Sequence, residues 1–161
     1  MVDKKIGIAD SGIGNDEINI SVFRTGSLLP CARYLANIAK NSVGTVDEQC
    51  FTMSTIIMCT AAIEASLFEY AYNYEKTIYK GNGFARSGIA LKYKALKGNK
   101  LEDDFKDVDE LITIRNAIVH NEPDHKSGRE LDLAKELNKN KALWAVKTTE
   151  TFVKAILQKN L

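Results

Sequence analysis

The chain has few of the residue types on which disulfide-linked folds and metal sites depend. It contains two prolines and three cysteines, and no pair of cysteines has the CxxC spacing of a zinc or redox site. We therefore expect reduced thiols, no disulfide and no metal ion. Its 22 basic residues nearly balance its 21 acidic ones. This balance neither requires nor excludes a nucleic-acid partner, so any affinity for RNA must come from local patches.

The sequence also lacks the long apolar segments that direct a protein into or across a membrane. The N-terminus has no apolar signal core, and the uncharged run 51–63 is too short to span a bilayer. We therefore expect a cytoplasmic protein with no membrane partner. Its 161 residues are 45% apolar and 27% charged, which is typical of one ordinary globular domain.

The spacing of apolar residues predicts an all-α fold, an antiparallel helical bundle of about five helices. The helices are expected at about 29–41, 47–79, 85–96, 101–120 and 129–158. The long second helix should be bent or broken, and its uncharged first half indicates burial on several sides. Residues 1–27 are expected to form a short, partly extended arm, in which alternation over 18–23 predicts a strand. The remainder, 28–161, is expected to be a single domain.

The most informative motif is RNAIVH, which runs from Arg115 to His120. Arg115 falls within the apolar arc of the fourth predicted helix, where an unpaired guanidinium would be costly. It therefore needs a partner, or it lines a cleft. His120 should lie in the last turn of that helix, because Pro123 disfavours helical geometry at the residue before it. The helix dipole at this end favours a charged imidazole.

A carboxylate on the long second helix, Glu64, is spaced with apolar residues and should point in the same direction as they do. Arg115 is the expected partner across the bundle, in a bidentate pair that would turn the guanidinium toward a cleft. Two other interpretations stay open. Glu64 could reach solvent along its apolar stem, or it could simply neutralise Arg115 as a structural ion pair.

The motif and its helical setting resemble the HEPN superfamily. HEPN ribonucleases carry an RxxxxH motif, often with Asn after the Arg, late in an antiparallel bundle. The segment 61–65, which contains Glu64, is similar to the family's earlier buried helix with its acidic residue. The segment 91–94 lies in the short helix that such bundles often have between these two. The resemblance covers roughly residues 48–158 and does not include the arm.

The resemblance implies an endoribonuclease that needs neither a metal nor a cofactor, because RNA supplies its own nucleophile in the 2′-hydroxyl. His120 would act as general base or acid, Arg115 would stabilise charge on the phosphoryl oxygens, and Asn116 would position the histidine or the phosphate. The products would be a 2′,3′-cyclic phosphate and a 5′-hydroxyl. Two protomers would bring their motifs together in one cleft, so a homodimer is expected. Glu64 would orient the site.

The same resemblance suggests a toxin or antiviral defence effector, held in check by an antitoxin or a nucleotidyltransferase-like partner. Glu122 stands where one branch of the family has a modified tyrosine, which argues against AMPylation at that position. His125 is interpreted as an exposed loop residue with no catalytic role.

A basic segment without acidic residues, 76–100, is the expected RNA-binding surface. Basic side chains could hold phosphates while an interleaved aromatic ring stacks a base, giving affinity that falls with salt and depends little on sequence. The residues assigned to these contacts are Lys80, Arg86, Lys92 and Lys94. The alternative is a solvated helix face, with Tyr79 and Tyr93 packed in the core.

A function without catalysis also stays open. In that case the bundle would be a helical module that dimerises or binds a protein or nucleotide partner. Arg115, Glu64 and His120 would then form a polar network inside it.

Overall fold

The computed structural model describes residues 25–80, 83–100, 106–120 and 133–158, and every regular element within them is a helix. The prediction of an all-α fold with bundle-like packing is confirmed. The helices in chain order are α1 (Thr25–Asn41), α2 (Val46–Tyr74), α3 (Lys76–Tyr79), α4 (Ile89–Lys100), α5 (Lys106–His120), α6 (Leu133–Glu136) and α7 (Lys139–Gln158).

The helix boundaries depart from the predicted ones where tertiary contacts or turns intervene. α1 begins at Thr25, inside the stretch assigned to the arm, because the backbone N–H and hydroxyl of Thr25 both bond the carboxylate of Glu69 on α2, each at 3.4 Å. The start of α4 is delayed by turns over 83–88, where Gly83 has a φ of 86°. The long second helix is broken, as expected, and the break is at Glu75, whose ψ of 52° is not helical. The last predicted helix, expected to run unbroken to 158, is interrupted at 137–138 between α6 and α7.

Several predicted features lie outside the described residues. These are the arm with its strand at 18–23, the start of the fourth predicted helix at 101–105, the segment that holds Glu122, Pro123 and His125, and the beginning of the last predicted helix at 129–132.

Helix α2 is the centre of the bundle, since α1, α4, α5 and α7 all pack against it. The buried residues of its uncharged stretch cover a wide arc of the helix, since Ile56, Cys59 and Ile63 form one stripe and Thr55 and Ala62 are buried beside it. Burial raises the pKa of the Cys59 thiol to about 12, so this cysteine is a packing residue and not a nucleophile.

Helix α1 packs closely on its neighbours through small side chains. Ala32, Ala36 and Ala39 follow helical spacing and are at most 2% exposed. Ala142 on α7 joins Ala36 and Ala39 in one small cluster. Because alanine extends only one carbon from the backbone, helices can approach closely where alanines meet.

Within the described residues, α2 is long and apolar enough, by length and composition, to cross a membrane. An 18-residue window in it has a mean hydropathy of 1.5, and 56% of that window is buried inside the bundle. Core helices of soluble proteins have the same composition, so this feature is weak evidence for a membrane span.

Glu48 connects the loop between α1 and α2 to the start of α7. Its Oε2 accepts the Gly44 N–H at 2.6 Å, and its Oε1 accepts the Lys139 N–H at 2.8 Å. Thr45 caps α2 by accepting the Glu48 N–H at 3.3 Å, and Gly44 takes a φ of 76° that favours glycine. The bonds from Gly44 and then Lys139 lower the pKa of the Glu48 carboxyl.

We expect Glu48→Gln to lower the free energy of unfolding at neutral pH, because one of its two acceptor oxygens becomes an amide nitrogen that cannot accept. A folded-state pKa below the ordinary 4.5 means that the carboxylate stabilises the fold fully above that pH. This contribution is lost as the pH falls through the lowered pKa. Urea unfolding of the wild-type protein and of Glu48→Gln should show that the difference between their free energies of unfolding shrinks as the pH falls. A difference that does not depend on pH would contradict this account.

Thr52 carries a buried hydroxyl for which the described part of the chain offers no hydrogen-bond partner. The hydroxyl of Thr55, one turn away and equally buried, donates to the Phe51 carbonyl at 2.7 Å. A buried polar group without a partner loses its hydration and gains nothing in return.

We expect Thr52→Val to raise the free energy of unfolding by about 1 kcal/mol, because valine has nearly the same shape without the hydroxyl. Thr55→Val is the matched control, and it should give no such gain because it removes a bond that is made. Chemical denaturation of the two variants and the wild-type protein measures the change in the free energy of unfolding that each substitution causes. Equal effects of the two substitutions would show that the Thr52 hydroxyl has a partner.

Candidate functional site

The motif residues lie in a cleft between α2, the start of α4 and the C-terminal end of α5. The cleft has a volume of about 400 Å³. α5 contributes Arg115, Asn116 and His120, and α2 contributes the face that runs from Ile57 to Glu64. The third wall is formed by Gly88, Ile89 and Ala90.

Arg115 is the centre of a short polar network on α5. Its Nη1 donates to Asn116 Oδ1 at 2.9 Å and lies 3.3 Å from His120 Nε2. A guanidinium has donors only, so the second contact is a hydrogen bond when Nε2 carries a lone pair, which places the proton of a neutral imidazole on Nδ1. Arg115 and Asn116 are half-buried and His120 is exposed. A ligand in the cleft can therefore reach all three side chains.

The local sequence of α5 explains how these groups are presented. Val108, Leu111 and Ile112 are buried and anchor one face of the helix in the core. Arg115 follows at helical spacing, so its stem leaves the core at the edge of this face. His120 lies in the last turn of the helix, at its C-terminal end.

Glu64 lines the same cleft, but its ion-pair partner is Lys92. Lys92 Nζ donates to Glu64 Oε1 at 2.5 Å and to the Ser87 carbonyl at 2.6 Å. It also lies 4.4 Å from the centre of the Phe68 ring, within range of a cation–π contact. The expected bidentate pair between Glu64 and Arg115 is therefore wrong. An enclosed ammonium loses more hydration than a half-buried guanidinium, so it has the greater need of the carboxylate.

The burial of Lys92 also corrects its assignment to an RNA-binding surface. Its side chain is only 2% exposed, against 39% for Glu64. Its position in α4 explains why, since it lies between Ile89 and Leu96 on the stripe of this helix that faces the core. A phosphate in solvent cannot reach this ammonium.

The rest of the basic segment divides between surface and core. Lys80, Arg86 and Lys94 are exposed. Phe84 and Tyr93 are buried in the core cluster, and Tyr79 is partly buried against it, so none of these rings is placed as an open stacking platform. The basic side chains remain candidates for phosphate contacts, without the aromatic partners proposed for them.

Comparisons with protein-family models, with curated proteins and with solved structures found no match for this chain. In the described parts of the chain, no group of three or more His, Cys, Asp or Glu side chains is placed to hold a metal ion.

Two parts of the site were not predicted from the sequence. One is the wall at 88–90, and the other is the role of Lys92 behind Glu64. Lys92 could have been recognised, because a lysine in step with Ile89, Tyr93 and Leu96 on a predicted helix points into the core. No comparable signal marks the wall, which depends on how α4 packs against α2.

The unequal burial of Lys92 and Glu64 predicts unequal effects on stability. Glu64→Gln leaves an enclosed ammonium without its anion, and we expect it to lower the free energy of unfolding by about 2–3 kcal/mol. Lys92→Met removes the buried charge and leaves a carboxylate that water can solvate, so it should cost clearly less. The double variant should be more stable than Glu64→Gln alone. Urea unfolding of all three tests this order, and a larger loss for Lys92→Met would refute it.

Proposed function

We propose that this protein is a metal-independent endoribonuclease of the HEPN type, which cleaves RNA in the cleft formed by Arg115, Asn116 and His120. The observation that carries the proposal is the 3.3 Å approach of Arg115 Nη1 to His120 Nε2 inside a cleft large enough for a nucleotide. A cation beside an exposed imidazole supplies two of the functions that cleavage of RNA through its own 2′-hydroxyl requires, namely stabilisation of charge on the phosphoryl oxygens and transfer of a proton.

In the proposed reaction, a base removes the proton of the 2′-hydroxyl, and the 2′-oxygen attacks the adjacent phosphorus. The bond from phosphorus to the 5′-oxygen breaks, and that oxygen takes a proton from a general acid. The products are a 2′,3′-cyclic phosphate and a 5′-hydroxyl. The nucleophile belongs to the RNA, so the protein needs only to transfer protons and stabilise the phosphoryl oxygens.

The contact between Arg115 and His120 gives binding a direct effect on reactivity. A phosphate in the cleft competes for the guanidinium, because a charged oxygen is a stronger acceptor than a neutral ring nitrogen. When Arg115 turns to the phosphate, His120 Nε2 is free to accept the 2′-hydroxyl proton. Asn116 contributes a side-chain amide beside Arg115.

A homodimer would supply the second proton-transfer group. One imidazole cannot conveniently take a proton from the 2′-hydroxyl and give one to the leaving oxygen in a single step, whereas a two-fold pair presents two His120 side chains. Exposed apolar residues support this arrangement. Ile57, Leu91 and Val119 are 38%, 61% and 45% exposed, and they lie on the three helices that form the cleft.

The proposed phosphate contacts outside the cleft are Lys80, Arg86 and Lys94, since they are exposed on the basic segment.

A ribonuclease in the cytoplasm would cleave the RNA of its own cell, so we propose a partner that inhibits it, an antitoxin or a nucleotidyltransferase-like protein. Such a pair would act as a toxin–antitoxin or defence system.

We expect Arg115→Ala and His120→Ala each to reduce RNA cleavage by roughly a hundredfold or more, because each removes a group used in the transition state. The assay uses mixed single-stranded and transfer RNAs in excess EDTA, with analysis of the fragments for cyclic-phosphate ends. Arg33→Ala is the matched control, since Arg33 is an exposed arginine that pairs with Glu150 on the bundle surface. It should leave cleavage unchanged.

The same variants separate this proposal from a helical module without catalysis. The exposed His120 contributes little packing, so His120→Ala should change the free energy of unfolding by less than about 0.5 kcal/mol. A variant that keeps its stability and loses cleavage supports the catalytic role. Loss of stability in His120→Ala, together with no cleavage by the wild-type protein, would favour the structural network.

A further inference from the structure

We propose that the cleft selects guanosine, and that Glu64 is the residue that reads the base. The inference rests on the proposed ribonuclease function and adds a substrate preference to it. It concerns the cleft alone, because the exposed basic residues outside it contact phosphates and carry no information about sequence.

The first observation is that the Glu64 carboxylate is fixed in place with acceptor capacity left over. Oε1 is held by Lys92 at 2.5 Å, while Oε2 has no hydrogen-bond partner among the described residues. Lys92 is itself held by the Ser87 carbonyl and the Phe68 ring. The carboxylate is therefore oriented before a ligand arrives, which lowers the entropic cost of binding.

The second observation is the charge of the cleft. A carboxylate near the phosphate-binding group would repel RNA, but the ammonium of Lys92 directly behind it offsets this charge. Because that ammonium is enclosed, it cannot bind a phosphate itself. The pair therefore presents acceptors and no donors to the cleft, and it favours a ligand that carries donors. The RNA backbone offers only the 2′-hydroxyl as a donor, so the bases are the main source of further ones.

The bases differ in the donors that they present. Guanine has two adjacent donors on its Watson–Crick edge, N1–H and the N2 amino group, which match the open Oε2 and the second lone pair of Oε1. Adenine and cytosine have one amino group beside an acceptor nitrogen, and uracil has one N–H between two carbonyl oxygens. A carboxylate is attracted to donors and repelled by neighbouring acceptors, so guanine is preferred over the other three. Single-stranded RNA exposes this edge for recognition.

The shape of the cleft fits the same occupant. Its volume of about 400 Å³ lies in the range of small-molecule sites. Apolar side chains, Ile57, Ala61 and Ile89, share its lining with Glu64 and Arg115. They offer a surface for the flat face of a base, while Arg115 can hold the attached phosphate.

The direct test is to measure the affinity of the wild-type protein for each of the four nucleoside 3′-monophosphates, by NMR titration or calorimetry. We expect guanosine 3′-monophosphate to bind roughly tenfold to a hundredfold more tightly than the others, as a paired carboxylate contact would give. Glu64→Gln should abolish the preference. Glu69→Gln is the control, because Glu69 is a carboxylate on the same helix that bonds Thr25 and does not line the cleft. It should keep the preference.

A second variant allows the test to be made if Glu64→Gln does not fold. Combining it with Lys92→Met removes both charges and leaves no enclosed ammonium unpaired, and this double variant should also bind the four nucleotides equally. Equal binding of all four by the wild type would overturn the inference. A guanosine preference that survives in either variant would overturn the assignment to Glu64.

Cleavage mapping on RNAs of mixed sequence separates this inference from the function on which it rests. Cleavage without enrichment of guanosine at the cut site overturns the base preference and leaves the ribonuclease in place. Preferential binding of guanosine 3′-monophosphate without cleavage of any RNA overturns the ribonuclease and supports Glu64 as a guanine-binding residue. Cleavage enriched at guanosine in the wild type and lost selectively in Glu64→Gln supports both.

Discussion

The cleft depends on one enclosed ammonium. Lys92 holds the carboxylate of Glu64 on α2, the carbonyl of Ser87 just before α4, and the ring of Phe68 one turn along α2. An ammonium removed from water is tolerated only when its donors are satisfied, so the chain has little freedom to shift α4 against α2 at this point. Two walls of the cleft are thereby set, and α5 adds the third with Arg115 and His120.

Helical periodicity was enough to predict most of the fold and part of the site. It predicted the five long helices, the cluster of Arg115 with His120 at one end of α5, and a carboxylate at Glu64 that shares its direction with apolar neighbours. It could not predict the partner of Glu64, because a choice between two cations depends on which helix packs closest. The high lysine content of the basic segment favoured a surface interpretation for Lys92, although its spacing with Ile89 indicated the core.

The boundaries that differed from prediction have physical causes beyond the local sequence. α1 extends back to Thr25 through bonds to Glu69, a contact between residues far apart in the chain. The break at Glu75 has neither glycine nor proline to mark it, and the chain turns there into the short helix α3. Local propensity describes the interior of a helix better than its ends, where capping and tertiary bonds decide the last turn.

The hydrogen bonds of the Glu48 carboxylate to Gly44 and Lys139 join three helices that pack more extensively than the rest of the bundle. Its bond to Lys139 joins residues 91 positions apart and closes α1, α2 and α7 into a frame, and these three helices make the most extensive contacts within the described residues. α4 and α5, which carry two walls of the cleft, lie between Glu48 and Lys139 in the sequence and pack less extensively. Local opening of α5 can therefore leave this frame folded, while Lys92 keeps α4 against α2.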